Sequence, residues 1–145
     1  MLLLDIAIRE KSRAPMQTKT EAMITRVAGV DGDSRGKPNN RQVTVLSLAQ
    51  WQAACADVNT ALAWTIRRAN VLIDGPEFDQ SFVGKQIKIG DLRMVITGET
   101  DPCPKMDMQH QGLTKALEPD WRGGVCCKVI ADGRVRVGDF VEIID

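Results

Sequence analysis

Apolar positions along the chain come in short runs separated by turns rich in glycine and aspartate, and most runs have the length and β-branched character of strands. Leu2 to Arg9 predicts a first strand and Met23 to Val27 a second. The polar stretch between them, Glu10 to Thr20 with Pro15 inside it, predicts an irregular connection. Val43 to Leu46 predicts a buried strand. Gln86 to Ile89 and Leu92 to Thr97 flank Gly90-Asp91, which suits a tight reversal, and predict a hairpin. Gly123 and Gly124 open a last hairpin, Val125 to Ile130 and Arg134 to Val137 around Asp132-Gly133; Gly138-Asp139 then introduces a strand from Phe140 to Ile144.

Helical spacing is scarcer. Leu48, Trp51, Cys55 and Val58 recur at three- and four-residue steps behind Ser47, a suitable N-cap. Ala61 to Ile73 starts with helix-like composition and switches into a strand, Gly75 to Asp79 is a turn, and Phe82 and Val83 anchor the next connection against the core. Gly112 to Leu117 makes one or two helical turns, ended by Pro119. The expected fold is mainly β, a small closed or nearly closed barrel with one or two short helices covering its gaps, in one domain over residues 1–145. The pattern does not fit a βαβ nucleotide fold, and no P-loop, dinucleotide fingerprint or H-E-x-x-H motif is present.

Charge narrows the function classes. Nineteen basic residues balance nineteen acidic ones, which argues against a general nucleic-acid or acidic-membrane binder and leaves room for a local positive pocket. Tyr is absent and aromatics are 4 % of the chain, so platforms for stacking bases are scarce. The apolar run at residues 1–8 is interrupted by Asp5, too short to span a bilayer and not preceded by basic residues, so the expectation is no membrane span, no export signal and a cytoplasmic location with reduced thiols.

Candidate chemistry centres on Thr97 to Leu113, where Cys103 sits between Pro102 and Pro104. The two prolines fix their own φ and push the preceding residues toward extended backbone, so the thiol is expected on a stiff, non-helical ledge. A ledge of this kind can aim a thiol for chemistry or metal ligation; it can also be a rigid turn with a free thiol. Arg67, Arg68 and Asn70, at the switch into a strand, read either as a solvated edge or as a clamp for a phosphate and a heterocycle, since Arg offers a planar fork of donors and Asn both donor and acceptor. The loop Asp33 to Arg41, with Arg35, Lys37 and Arg41, is equally open between a solvated loop and an anion-contacting lid.

The remaining cysteines read as structural. Cys55 lies on the apolar helix face, Trp51 and Trp64 read as packing residues, and Cys126 and Cys127 should point to opposite sides of their strand, with at least one in the core. No C-x-x-C pair occurs, and the single histidine, His110, cannot complete a usual zinc spacing.

Taken in order, the landmarks form a recognisable series. They are R-x-P-M at Arg13 to Met16, G-x-x-G-D at Gly29 to Asp33, R-Q-V-T at Arg41 to Thr44, R-R-x-N-x-x-x-x-G at Arg67 to Gly75 and G-x-x-I-x-I-G-D at Gly84 to Asp91. D-P-C-x-x-M at Asp101 to Met106 and the glycine-punctuated series from Gly123 to Asp139 complete it. This order resembles the MOSC family, named for the C-terminal domain of molybdenum cofactor sulfurases, over nearly the whole chain.

The resemblance implies a mostly β, barrel-like domain that binds a molybdenum cofactor, a pyranopterin whose dithiolene holds the metal. The family's characteristic cysteine matches Cys103, a molybdenum ligand in its reductases of N-hydroxylated compounds and a persulfide carrier in sulfur-transfer proposals. Arg68 and Asn70 match its R-x-N segment, expected against the phosphate and pterin, with Arg67, Arg35 and Arg41 available to the anionic end and Asp101 to orient water or cap a turn. A soft thiolate suits a sulfur-rich metal centre. Neither the N-terminal domain of larger relatives nor an aminotransferase-like domain is expected, and no pyridoxal phosphate, flavin, haem or iron–sulfur signature is recognisable. A reductase would therefore need an external electron-donor protein, and a carrier or maturation module a cofactor or sulfur acceptor protein.

Overall fold

The computed structural model describes residues 1–145, and most of its strands arise where the apolar runs predict them, the short β2 and β4 being the exceptions. In chain order they are β1 (Leu3–Ile8), β2 (Gln17–Lys19), β3 (Glu21–Thr25), β4 (Gly29–Val30), β5 (Val43–Ser47), β6 (Val71–Ile73), β7 (Gln86–Ile89), β8 (Leu92–Glu99), β9 (Val125–Ala131), β10 (Gly133–Arg136) and β11 (Val141–Ile144). Eight of them make a sheet in the order β11-β7-β8-β9-β5-β6-β1-β2, and β10-β3-β4 make a second, three-stranded sheet. The β7–β8 hairpin turns at Gly90-Asp91 as expected, with Ile89 opposite Leu92.

The barrel does not close. β11 pairs with β7, and its approach to the start of β1 is limited to one bridge, Leu2 with Phe140, and a few flanking main-chain hydrogen bonds. Nor is the expected last hairpin formed. Gly133 passes so close to the Leu92 backbone that no Cβ fits, and beyond it β10 runs antiparallel to β3 in the other sheet. Asp132-Gly133 is thus a crossing between sheets, steadied by the Arg26 amide donating to Asp132 Oδ1 at 2.8 Å.

Three helices form rather than one or two: α1 (Leu48–Asp57), α2 (Met106–Gln109) and α3 (Leu113–Leu117). Ser47 precedes α1 as expected, but makes no side-chain cap, and its buried Oγ has no partner. The connection Glu10 to Thr20 contains the short strand β2 against β1. Two apolar clusters hold these parts together. Twenty-one buried residues, among them Ile6, Val45, Phe78, Met94 and Cys127, fill the space between the sheets. Ten more, among them Trp51, Cys55, Met106 and Leu113, seat the helices on the large sheet's outer face, so Cys55 is the packing residue its periodicity implied. No helix is long and apolar enough to cross a membrane.

Strand direction assembles the site. β1 ends, and β5 and β6 begin, at one end of the large sheet, because β1 runs antiparallel to β6 and β5 parallel to it; β8 runs parallel to β5 on the far side of β9, and the chain beyond its end is tied to this rim by Arg67, whose Nη2 donates to the Thr100 carbonyl. Arg9, Asn70 and Thr100 are therefore brought from distant parts of the chain to one rim.

Candidate functional site

At this rim lies a cavity of about 450 Å³. Five expected residues line it besides Asn70: Arg35, Arg41, Arg67, Arg68 and Cys103. Lys37 of the loop Asp33 to Arg41 joins them, as do Arg9 and Lys105, which sequence reasoning did not single out, making seven cations against one carboxylate, Asp33. None of the seven is in an ion pair; the five ion pairs of the protein lie elsewhere. Asp33 does not neutralise them by direct pairing either, since Oδ1 accepts from the Arg9 amide at 2.9 Å and Oδ2 from the Arg35 amide at 3.2 Å.

Arg67 organises the thiol side of the cavity. Only 7 % exposed, it donates from Nε to the Gly123 carbonyl at 3.2 Å and from Nη2 to the carbonyls of Thr100 and Asp101 at 3.0 and 3.3 Å. The guanidinium thereby fixes the chain just before Pro102. Gly123 is required beside it, because a Cβ there would overlap the Thr100 carbonyl and crowd Arg67 Nη2 at 3.1 Å. Burial lowers the Arg67 pKa, opposed by the Cys126 and Cys103 thiols and reinforced by Arg41, although an arginine so placed keeps its charge.

Cys103 sits on the ledge the prolines predict, exposed and outside any helix or strand. Its carbonyl is held twice, by the Met106 amide at 2.8 Å and by Thr114 Oγ1 at 3.0 Å, and the Thr114 amide in turn donates to Asp107 Oδ1 at 2.9 Å. These Thr114 contacts hold the Asp107 carboxyl below its ordinary value. α2 and α3 thus clamp the segment that carries the thiol.

Asn70 is 6 % exposed and largely committed to the fold: Oδ1 accepts from the Thr44 amide and hydroxyl at 3.1 and 3.2 Å, and Nδ2 donates to the Ala7 carbonyl at 3.2 Å. One amide N–H is left for a ligand. Asp101 contributes its carbonyl, to Arg67, while its exposed side chain lies outside the cavity wall. Arg9 follows β1 as the last residue of an apolar run, where a basic residue reads as a strand end; only the fold reveals that it turns inward.

The thiols differ sharply in access. Cys126 and Cys127 are both buried, at 3 % and 0 %, with Cys126 Sγ 3.2 Å from Thr100 Oγ1; burial pushes the Cys127 thiol far up. Cys55 lies within the helical cluster, and Cys103 alone is exposed. Under native conditions iodoacetamide should label Cys103 at least about tenfold faster than the other three, with all four labelling in denaturant. Peptide mass spectrometry reads this, and equal native rates would remove the distinction.

No three His, Cys, Asp or Glu side chains gather to hold a metal ion. A metal at Cys103 would have to bring its remaining ligands with it, as a metal carried in a sulfur-rich organic cofactor does. The cavity's unpaired cations suit an anionic organic group. The donor set therefore fits such a cofactor and does not fit a bare ion.

The MOSC domain family model matches residues 31–142. No curated protein matches the sequence. Among solved structures, the fold is similar to the YuaD protein from Bacillus subtilis, with a TM-score of 0.82 at 18 % identity over 98 % of this chain and 94 % of that one. It is also similar to YiiM from Escherichia coli, with a TM-score of 0.71 at 18 % identity over 100 % of this chain and 70 % of that one. YiiM from Geobacillus stearothermophilus gives 0.73 at 12 % identity over 99 % and 73 %.

Proposed function

We propose, from the premise that this chain belongs to the MOSC family, a family associated with molybdenum-cofactor binding, that the cationic cavity holds a molybdenum pyranopterin and serves a reductase of N-hydroxylated compounds. The observation that carries the reading is the convergence of seven cations without an ion pair and one exposed, clamped thiol on a single cavity. Cys103 would give the metal its protein ligand, the cavity arginines would bind the cofactor's anionic end, and the free N–H of Asn70 would meet the heterocycle. When bound, the cofactor supplies two-electron chemistry that converts an N-hydroxyl group to the amine and water, with electrons from an external donor protein.

The protein's own part is positioning. Arg67 fixes the main chain on one side of the Cys103 ledge, and the Met106 amide and Thr114 hydroxyl fix its carbonyl, so the thiol is preset before a ligand arrives. The guanidiniums of Arg35, Arg41 and Arg68 line the wall, where their fixed donors can match an oxyanion.

The exposure of Cys103 supports a second reading, in which its thiol carries persulfide sulfur, or the module carries cofactor, to an acceptor protein. Purification from a cofactor-competent host should yield protein with near-stoichiometric molybdenum and pterin, measured by elemental mass spectrometry and by fluorescence of the oxidised pterin. Such protein should reduce a hydroxylamine with reduced methyl viologen as donor. Metal-loaded protein inert toward N-hydroxyl compounds would favour the carrier, and protein without metal or pterin, from a host shown to supply them, would sink the cofactor reading.

A further inference from the structure

We infer that the protein carries a second ligand site, an apolar cavity beside α1 that takes a neutral aromatic molecule with a single polar substituent. The site is independent of the cationic cavity and of the cofactor reading.

This cavity has a volume of about 560 Å³, larger than the cationic one, and no charged side chain lines it. Its deep side is formed by Trp51, Cys55 and Leu72, which are 2, 8 and 6 % exposed, and the half-buried Leu62 and Trp64 stand nearer the mouth. That volume, with a mostly apolar lining and a few polar groups, is characteristic of a pocket for a small molecule. The two cavities share no lining residue. A 3-10 turn, Trp64–Arg67, stands between them, with Trp64 lining the apolar cavity and Arg67 the cationic one.

Main-chain bonds build the cavity without help from a ligand. Past the end of α1 the Cys55 carbonyl accepts from the amides of Val58 and Thr60 at 3.2 and 3.1 Å, and Asn59 turns the chain with a left-handed φ of 54°. The chain then returns to the helix at Leu62, whose carbonyl accepts from Trp51 Nε1 at 3.1 Å. Trp64 Nε1 is likewise spent, on Asp5 Oδ2 at 2.9 Å. Both indoles therefore have their N–H groups paired and offer a ligand ring contacts alone, the stacked and edge-on contacts that another aromatic ring fits. Gln52 and Asn59, exposed at the rim, supply amides for one hydroxyl or carbonyl. An anion finds no counter-charge here, and burying its charge opposes binding.

The recession of the apolar surface favours a small molecule over a protein face. The exposed large hydrophobic side chains of the protein, Met108 and Phe140 among them, all lie elsewhere, and those lining this cavity are buried or half-buried. A protein partner meets an apolar patch that stands at the surface, whereas apolar surface set back behind amides is reached by a molecule that enters.

The test titrates the full chain, without cofactor, with 2-naphthol, read by calorimetry and by the tryptophan indole N–H resonances in two-dimensional NMR. The Trp51 and Trp64 resonances should shift saturably while that of Trp121, packed against the other apolar cluster, stays in place. The binding heat should carry a negative heat-capacity change. Affinity should be equal in Cys103→Ala and at about tenfold higher salt, because no charge takes part. Trp64→Ala should bind roughly tenfold more weakly, having lost a ring and its packing; should it not fold, the wild-type resonances decide alone. Unmoved Trp51 and Trp64 resonances at the solubility limit of naphthol overturn the inference, as does salt-sensitive binding, which would assign the probe to the cationic cavity. Equal shifts with the anion 2-naphthoate overturn the neutral class. Shifts of the same resonances on raising protein concentration alone, with a dimer mass in light scattering, would assign the cavity to a second copy and overturn the small-molecule site.

Discussion

Cys103→Ala, isolated from a host that makes the cofactor, is expected to retain molybdenum at roughly a tenth to a hundredth of the wild-type level, the range in which lost support around a metal weakens its binding. Turnover of N-hydroxylated compounds should fall with it. The physical ground is that no other thiol can substitute: Cys126 and Cys127 are buried in the sheet and Cys55 on the packed face of α1. Stability should hardly change, within about 0.5 kcal/mol, because an exposed side chain is removed while its carbonyl keeps both hydrogen bonds. Elemental analysis beside a urea melt separates the two effects. Equal metal in wild type and variant would sink the ligand assignment while leaving pterin binding by the arginines.

The largest structural effect is expected from Gln42→Leu, a change of nearly constant volume. Gln42 is 1 % exposed; Nε2 donates to the carbonyls of Gly36 and Arg26, each at 2.9 Å, and Oε1 accepts from the Val129 amide at 3.0 Å. Leucine leaves the buried Gly36 carbonyl and Val129 amide unpaired at about 1–3 kcal/mol each, so a loss of about 3 kcal/mol is expected. In a chain of this size that lowers Tm by about 10 °C. Gly36 belongs to the loop that carries Arg35 and Lys37, and a Cβ on it would overlap the Ala28 carbonyl. The variant should therefore also exchange amide hydrogens faster across residues 34–41. A melting temperature matching the wild type would mean that water replaces the amide, and the anchoring role would fall.

Local pattern carried the strands and the thiol further than it carried the assembly. Gly90-Asp91 between two apolar runs dictates a hairpin because the partners are adjacent, and the prolines around Cys103 dictate a ledge through their own rings. β10 follows an equally plausible turn, yet its ladder partner is β3, some hundred residues earlier in the chain. That choice depends on Gly133 packing against Leu92, a contact no local window contains, and the same lack of long-range information made an open sheet look like a closed or nearly closed barrel. α2 was missed because four residues are too few for periodicity. Of the site, Arg35, Arg41, Arg67, Arg68, Asn70 and Cys103 were legible from motif and composition, and the structure brings them to one cavity. Arg9 was not, since an arginine closing an apolar strand has the same local appearance whether it faces water or a cavity.

The unpaired cations also shape the molecule at long range. Nineteen bases and nineteen acids leave the chain neutral, yet seven of the bases and one of the acids line the cavity, so the rest of the protein carries twelve bases against eighteen acids. A neutral molecule is thereby made strongly dipolar, with its positive pole recessed among low-dielectric walls that concentrate the field. Small anions approaching from solution are turned toward the mouth before any contact forms, while broad polyanions such as nucleic acids meet a predominantly acidic exterior. Over distances beyond the Debye length of about 8 Å at physiological salt, this sorting fades, so it acts on the last step of approach and selects by ligand size as much as by charge.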